Sequence, residues 1–417
     1  LEKLRAAAGW EHRPAPADGP NGSLVLWELP SAQPGEYGWT ANLVYPQGCS
    51  LEGKAAAVVS AIGRELGLHS DCAVTIEAGD RQNEFRLSVQ LKPLPETGFM
   101  YPLELLDPVR SINHRLPMFM DQRGTAWGPQ LRQRSMYVAG NMGAGKSTLL
   151  EAIVLALAAC DDVLIFGADL GKEEGSALAQ LGGLLDRFAP DEDAFIEMLE
   201  AVRDGAKSRY GSKLNKVSPE HPQIMILIDE GLEVLSKPKV AELVKEIDRQ
   251  ARSAGIRFVT TVTDATGTST GADISVKKQA AVLGAMTAND TYGSMIQNTF
   301  GGVISGISEK GLSRVGSLVA NLGEGGAALY RTWNTDNVDW DSTAARLAPR
   351  RPKLDDSTRV AMGGWYERSA AGVRRSTVVV GNFPQASSPA PLTVPAPADF
   401  SDDPELEAAF AMQNDLG

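Results

Sequence analysis

The residues best suited to chemistry in this chain lie in one short run. Gly140, Gly145, Lys146 and Ser147 fall in the order G-x-x-x-x-G-K-S, with Asn141, Met142, Gly143 and Ala144 between them and Thr148 after. Glycines at these places let backbone N–H groups curl around phosphate oxygens, and a following helix adds the partial positive charge of its N-terminus. The spacing puts the Lys146 ammonium at β- and γ-phosphates and the Ser147 hydroxyl on a Mg²⁺ ion. Further along, Ile224-Met-Ile-Leu-Ile-Asp229-Glu230 is an apolar run that ends in two carboxylates. Asp229 suits the Mg²⁺ shell, and Glu230 suits orienting and deprotonating an attacking water. The two motifs together predict hydrolysis of a nucleoside triphosphate. The guanine-reading order N-K-x-D does not occur, which leaves ATP.

These groups need a strand, a tight loop and a helix to position them, and the pattern supplies each. An apolar run at 136–139 precedes the glycines, and Leu149, Leu150, Ile153, Val154 and Leu157 form one face of a helix after them. Further apolar runs at 163–167, 224–228, 256–262 and 280–286 alternate with helical patterns. That alternation predicts a mostly parallel sheet with helices on both faces, an α/β class, over residues 106–340. Residues 240–254 carry an apolar stripe at 240, 243, 244, 247, 251 and 254, with Glu242, Lys245, Arg249 and Arg252 on the polar stripe. Leu318 to Ala320 and Ala328 to Trp333 read as a hairpin around Gly323, Gly325 and Gly326 rather than a dinucleotide fingerprint.

Residues 1–105 read as a small α+β adaptor or assembly module of order α-β-β-α-β-β. A leading helix falls at 1–8, and short alternating runs at 23–29, 39–45, 73–77 and 84–91 flank a helix holding Val58, Val59, Ile62 and Leu66. From about 341 the pattern decays. Pro384, Pro389, Pro391, Pro395 and Pro397 lie close together, so 341–417 is expected to be linker and largely disordered acidic tail.

Composition narrows the class. The chain has 417 residues, 43% of them apolar and 22% charged, which excludes a collagen-like, wholly disordered or disulfide-stapled protein. Cys49, Cys72 and Cys160 read as reduced thiols of a cytoplasmic chain, and four scattered histidines give no zinc spacing. No apolar run approaches the ~20 residues that cross a bilayer. Leu1 rather than Met opens the sequence, so a segment, membrane anchor included, is expected ahead of it. The net charge is −12, yet the last 19 residues hold six acids and no base, so overall charge does not argue against a nucleic-acid partner.

The order Tyr137-Val-Ala-Gly140, Gly145-Lys146-Ser147, Ile228-Asp229-Glu230 and Gln250-Ala-Arg252-Ser-Ala-Gly255-Ile256 resembles the FtsK/SpoIIIE motor ATPases over residues 115–335. The lone motor domain, the small leading module and Gly167-Ala-Asp169-Leu-Gly-Lys172 look most like the TraB-type translocases of actinobacterial conjugative plasmids. The resemblance implies a RecA-like P-loop fold, a homo-hexameric ring, ATP and Mg²⁺ as cofactors, double-stranded DNA as partner and a place at the inner face of the cell membrane. It also implies that Arg252 (with Arg249 in reserve) reaches a neighbouring subunit's site. Thr263 stands where the family usually has a phosphate-sensing Gln, and its hydroxyl is expected to hydrogen-bond a γ-phosphate there. Pore loops are implied at Lys277 and Lys278 and at Thr287 and Asn289, the second without the bases often seen there. Arg203 to Lys216, net +4, reads as an exposed helix end. Two other readings remain open at this level: a type VII protein-secretion ATPase of the same superfamily, and a nucleotide-gated assembly scaffold.

Overall fold

A computed structural model of the chain describes residues 33–34, 36–44, 55–69, 72, 74–78, 84–93, 98–121, 123–170, 177–181, 183–211, 217–263, 277–278, 280–286, 299–300, 314–322 and 327–373. At its centre is an eleven-stranded sheet. Six parallel strands run in the order β10 (Arg187–Ala189), β9 (Val163–Ala168), β11 (Gln223–Ile228), β12 (Ile256–Val262), β8 (Ser135–Gly140) and β13 (Ala280–Met286). Antiparallel strands then continue the sheet: β14 (Ser317–Asn321), β15 (Ala327–Asn334), β6 (Phe119–Met120) and β7 (Ala126–Trp127). β5 (Phe99–Met100) pairs in parallel with the end of β15.

Every residue of β8, β9, β11 and β12 is buried, as expected of strands covered on both faces. The two-residue period divides them between two cores. Met136, Val138, Ile165, Met225 and Leu227 pack with α2 (Lys146–Ala158) and with Leu178 of α3 (Ala177–Gln180) in one core. Tyr137, Ala139, Phe166, Ile224, Ile226 and Ile228 pack on the other face, with α4 (Glu192–Gly211) and α6 (Pro238–Ala254). A one-residue slip in any of these strands would exchange its two faces. The sequence expectation of a parallel sheet between helical layers therefore holds, with the five strands within a residue of their expected bounds. Short β10 was not expected.

In the leading module, β1 (Gln33–Pro34), β2 (Gly38–Val44), β4 (Glu84–Gln90) and β3 (Val74–Ala78) form an antiparallel sheet in that order. The helix α1 (Ala55–Glu65) lays Val58 and Ile62 against Ala41, Val74, Leu87 and Val89. The expected helix at 1–8 and strand at 23–29 lie outside the described residues.

Residues 341–373 correct the expectation of a linker. α7 (Trp340–Leu347) starts on an Asp339 cap that accepts from the Ser342 N–H and buries Leu347 in the α2-side core. α8 (Asp356–Ala361) and α9 (Gly364–Val373) belong to the opposite core through Leu354, Met362 and Trp365. The segment passes the β10 edge, where Arg351 pairs with Asp186 and the Arg187 guanidinium lies 3.6 Å over the Tyr366 ring. Covering an edge strand this way blocks it from pairing with another chain. The proline-rich stretch and the acidic tail beyond lie outside the described residues. No helix among the described residues is long and apolar enough to cross a membrane.

Candidate nucleotide site

The loop Gly140–Gly145 leaves β8 and enters α2 under steric constraints that only glycine meets. Gly143 has φ +77° and Gly145 φ +100°, left-handed values that strain any residue with a Cβ. Gly145 caps α2 without a side-chain hydrogen bond, so the first N–H groups of the helix are not taken by a capping side chain. Lys146 is 9% exposed; its Nζ donates to the carbonyls of Gly140 at 2.8 Å and Asn141 at 3.3 Å, which holds the ammonium over its own loop. Met142, at 89% exposed, is the loop's outer tip, while Ala144 is buried.

Two flanking segments brace the loop. The Asn141 N–H donates to the Met286 carbonyl at the end of β13, 3.3 Å away. The Gly316 N–H donates to the Ala144 carbonyl at 2.9 Å. Gly316 has φ +79°, and a Cβ there would stand 2.6 Å from Thr332 Oγ1. The turn ahead of β14 is therefore drawn tightly between the phosphate loop and β15.

The acidic pair sits where β11 turns into α5 (Gly231–Ser236). Strand β12 lies between β11 and β8, and its end forms a floor for this turn. Three consecutive residues rest on it. Thr261 Oγ1 donates to Asp229 Oδ1 at 2.6 Å, and Thr263 Oγ1 donates to Glu230 Oε1 at 2.6 Å. Beside those contacts, a Cβ on Gly231 would meet Thr260 Cγ2 at 2.4 Å, so only glycine lets the turn sit this close. Glu230 has φ +51°, and a left-handed conformation in a non-glycine residue costs about 1–3 kcal/mol. Asp229 is 2% exposed, and its Oδ1 also accepts from the Glu230 N–H at 3.1 Å.

A cavity of about 190 Å³ opens beside the loop, lined by Gly145, Thr148, Gly316, Arg331, Asn334 and Asp336 among others. Arg331 is 2% exposed and donates to Ser317 Oγ at 2.8 Å, while its Nε has no hydrogen-bond partner among the described residues. Burial, with Arg314 adding repulsion, brings this guanidinium down to about 10. One turn into α2 from Ser147, Glu151 accepts from the Thr335 hydroxyl. Burial raises its carboxyl, and nearby Asp336 raises it further.

The structure therefore brings together the expected loop residues, Asp229, Glu230 and Thr263. It places the Thr263 hydroxyl on Glu230. Arg252 falls in the last turn of α6, and its side chain lies outside the described residues; Arg249 is exposed one turn earlier. Lys277 and Lys278 form a helical turn ahead of β13, Lys278 exposed. Thr287 and Asn289 lie outside the described residues. Sequence reasoning missed Thr261, Gly316, Arg331 and Asp336. Only the run of threonines at 260, 261 and 263 signalled any of them.

The basic stretch from Arg203 is also corrected in part. Lys207 is a half-exposed partner of Asp204 and Glu246, as expected of a helix end. Arg209 is instead buried, bonded to Thr358, Asp355 and the carbonyls of Pro222 and Ala254.

No protein-family model matches the chain, and no curated protein matches it. Among solved structures, it is similar to the pCW3 conjugation coupling protein TcpA, monomer form with ATPγS, at 13% identity and a TM-score of 0.48, covering 83% of this chain and 98% of that one. It is similar to the cytoplasmic domain of the Thermomonospora curvata type VII secretion ATPase EccC at 17% identity and a TM-score of 0.45, where 63% of this chain spans 34% of the other. The genome-packaging NTPase B204 of Sulfolobus turreted icosahedral virus 2 aligns at 14% identity and a TM-score of 0.31, over 48% of this chain and 98% of that one. Its own geometry settles the class: with the glycine loop ending β8, the acidic turn ending β11 and β12 inserted between them, this chain has the RecA-like P-loop ATPase fold.

Proposed function

We propose that the chain is an ATP-hydrolysing ring motor that moves double-stranded DNA in conjugative transfer between cells. The observation that carries the hydrolysis reading is an N-terminally open α2, led by Lys146, after β8, with a buried Asp229 and a hydrogen-bonded Glu230 after β11, one strand away across β12. The loop N–H groups and Lys146 bind the phosphates. The Ser147 hydroxyl and Asp229 carboxylate are hard oxygen donors that suit Mg²⁺, which keeps several of its waters. Mg²⁺ when bound supplies neutralisation of charge between the β- and γ-phosphates. Glu230 orients the attacking water and takes its proton. The cavity beyond Thr148 receives the nucleoside.

In a homo-hexamer, Arg252 at the end of α6 serves the adjoining subunit's site. A trans-acting arginine contributes roughly 10³–10⁵ in rate. Lys277, Lys278, Thr287 and Asn289 contact DNA phosphates in the central channel, so only the channel needs positive charge in a chain of net charge −12. The assembly works at the inner face of the cell membrane.

The test is the steady-state ATPase rate with and without long double-stranded DNA, at low and moderate salt, beside Lys146→Ala. Stimulation that fades as salt rises is expected, because counterions compete for phosphate contacts. Lys146→Ala is expected to abolish turnover. Lys146-dependent turnover that DNA does not stimulate would refute the DNA-motor reading and leave the ATPase reading standing.

A further inference from the structure

We infer that Thr263 is a positioning residue for the general base Glu230 and not a contact to the nucleotide's phosphates. The inference rests on the hydrolysis reading above. Its basis is the seat that β12 makes for the acidic turn. Thr261 lies in the last two residues of β12, and Thr263 is the first residue past its end. They donate to Asp229 Oδ1 and Glu230 Oε1 at the same distance, 2.6 Å. Gly231, the first residue of α5, is held against Thr260. Register brings the strand ends level: Ile228, the last residue of β11, pairs with Thr260, so the acidic turn and the end of β12 leave the sheet side by side.

A glutamate side chain has three rotatable bonds, and a base acts only from the rotamers that reach the water. The Thr263 hydroxyl selects among them by holding Oε1. The other oxygen, Oε2, then receives the proton. The backbone contributes to the same end, because the left-handed conformation at Glu230 fixes where its Cβ points. A threonine is too short to extend past this carboxylate as a long amide does, and its single hydroxyl proton is already donated to Glu230.

The two roles separate by experiment. Thr263→Val removes the hydroxyl and keeps the branched shape; Thr263→Ser keeps the hydroxyl. Both are assayed in the full chain for kcat, KM and the ratio of ATP to ADP affinity, and Thr263→Val is also combined with Glu230→Gln. If Thr263 positions the base, Val lowers kcat by about tenfold to a hundredfold while KM and the affinity ratio stay within about twofold. Ser restores most of the rate. Val costs nothing further once Glu230 is Gln, because the group it positions is no longer a base. The inference is overturned if Val leaves kcat unchanged, if Ser fails to restore it, or if Val lowers the ATP-to-ADP affinity ratio tenfold or more, as loss of a phosphate contact would. It is also overturned if the Val effect persists in Glu230→Gln. Absence of Lys146-dependent turnover in the unaltered chain would instead remove the hydrolysis reading, and this inference with it.

Discussion

Replacing Asp355 by Asn tests the lock that joins the C-terminal helices to the core. Arg209 on α4 is 2% exposed at its side chain and Asp355 6%, and their contact is 2.7 Å. The same guanidinium donates to Thr358 Oγ1 at 2.8 Å and to the carbonyls of Pro222 and Ala254 at 2.9 and 3.2 Å. One side chain thus ties together α4, the approach to β11, the end of α6 and the start of α8. Burial alone would raise the Asp355 carboxyl, but Arg209 and the hydrogen bonds from Thr358 and Ser357 outweigh it and bring it from 3.8 to about 2. At about 1.4 kcal/mol for each pH unit, that depression is worth about 2 kcal/mol.

Removing the charge from Asp355 also leaves Arg209 buried without its counterion, and breaking such a pair costs about 3–5 kcal/mol. The bonds that Arg209 retains to Thr358, Pro222 and Ala254 place the expected loss for Asp355→Asn at the lower end, about 3 kcal/mol. Because the folded value is depressed, the stabilisation is fully present above the unfolded value near 3.8 and is lost as pH falls towards 2. Urea denaturation of the two proteins should therefore show a constant gap from pH 7 to about 5 that narrows below 4. A gap under about 1 kcal/mol at pH 7, or one that does not narrow in acid, would refute the account.

Other positions give sharper local tests. Asp248 is 5% exposed, and burial, partly offset by Arg257, pushes its carboxyl up to about 6. A raised carboxyl weakens the fold as pH climbs from 3.8 through 6. Asp248→Asn should therefore stabilise the protein by about 3 kcal/mol at pH 7, an effect that fades below pH 4, measured by urea denaturation. Gly316→Ala meets both a left-handed backbone and a Thr332 hydroxyl 2.6 Å from the new Cβ. It should cost about 1–3 kcal/mol of stability and weaken nucleotide binding severalfold in a fluorescent-nucleotide titration; unchanged affinity would show that the turn does not brace the loop. Thr261→Val withdraws one of the two donors found on Asp229 Oδ1. The expected result is a raised Mg²⁺ requirement in the ATPase assay, and an unaltered Mg²⁺ titration would exclude that role.

What was legible in the sequence was what depends on local spacing. The phosphate loop is a contiguous run whose glycines answer to backbone geometry, so its residues could be named without a partner. The parallel strands were legible because both faces are buried and their apolar runs are unbroken, as at Ile224 to Ile228. What was not legible depends on distant residues meeting. Arg209 looked like one more base on a polar helix end because its partners, Asp355 and Thr358, lie in a segment that reads as linker. That segment is rich in charge and short in helices, so periodicity over 341–373 has too few turns to register. Thr263 was assigned a role from its place after β12. Its partner in the structure, Glu230, lies in the turn after β11, and that meeting of two strand ends is not visible in either segment alone.

The braces around the phosphate loop lead towards the leading module. Gly316 holds Ala144 on one side and, through its carbonyl, receives the Thr332 N–H of β15 at 2.8 Å on the other. One residue later, Trp333 pairs with Phe99 of β5. Phe99 packs edge-on against Tyr37 of the module, with ring centroids 5.2 Å apart, and the Tyr37 carbonyl accepts from Leu91 and Lys92. Tyr37 also sits so close over Gly124 that a Cβ there would come within 2.7 Å of its ring. From the loop to the module, then, every contact is a backbone hydrogen bond, a strand pair or a ring packed without slack. Cores this closely packed respond to displacement by switching between discrete arrangements rather than by yielding gradually. Gly316, β15 and β5 therefore form one continuous packed path from the phosphate loop to Tyr37 of the leading module.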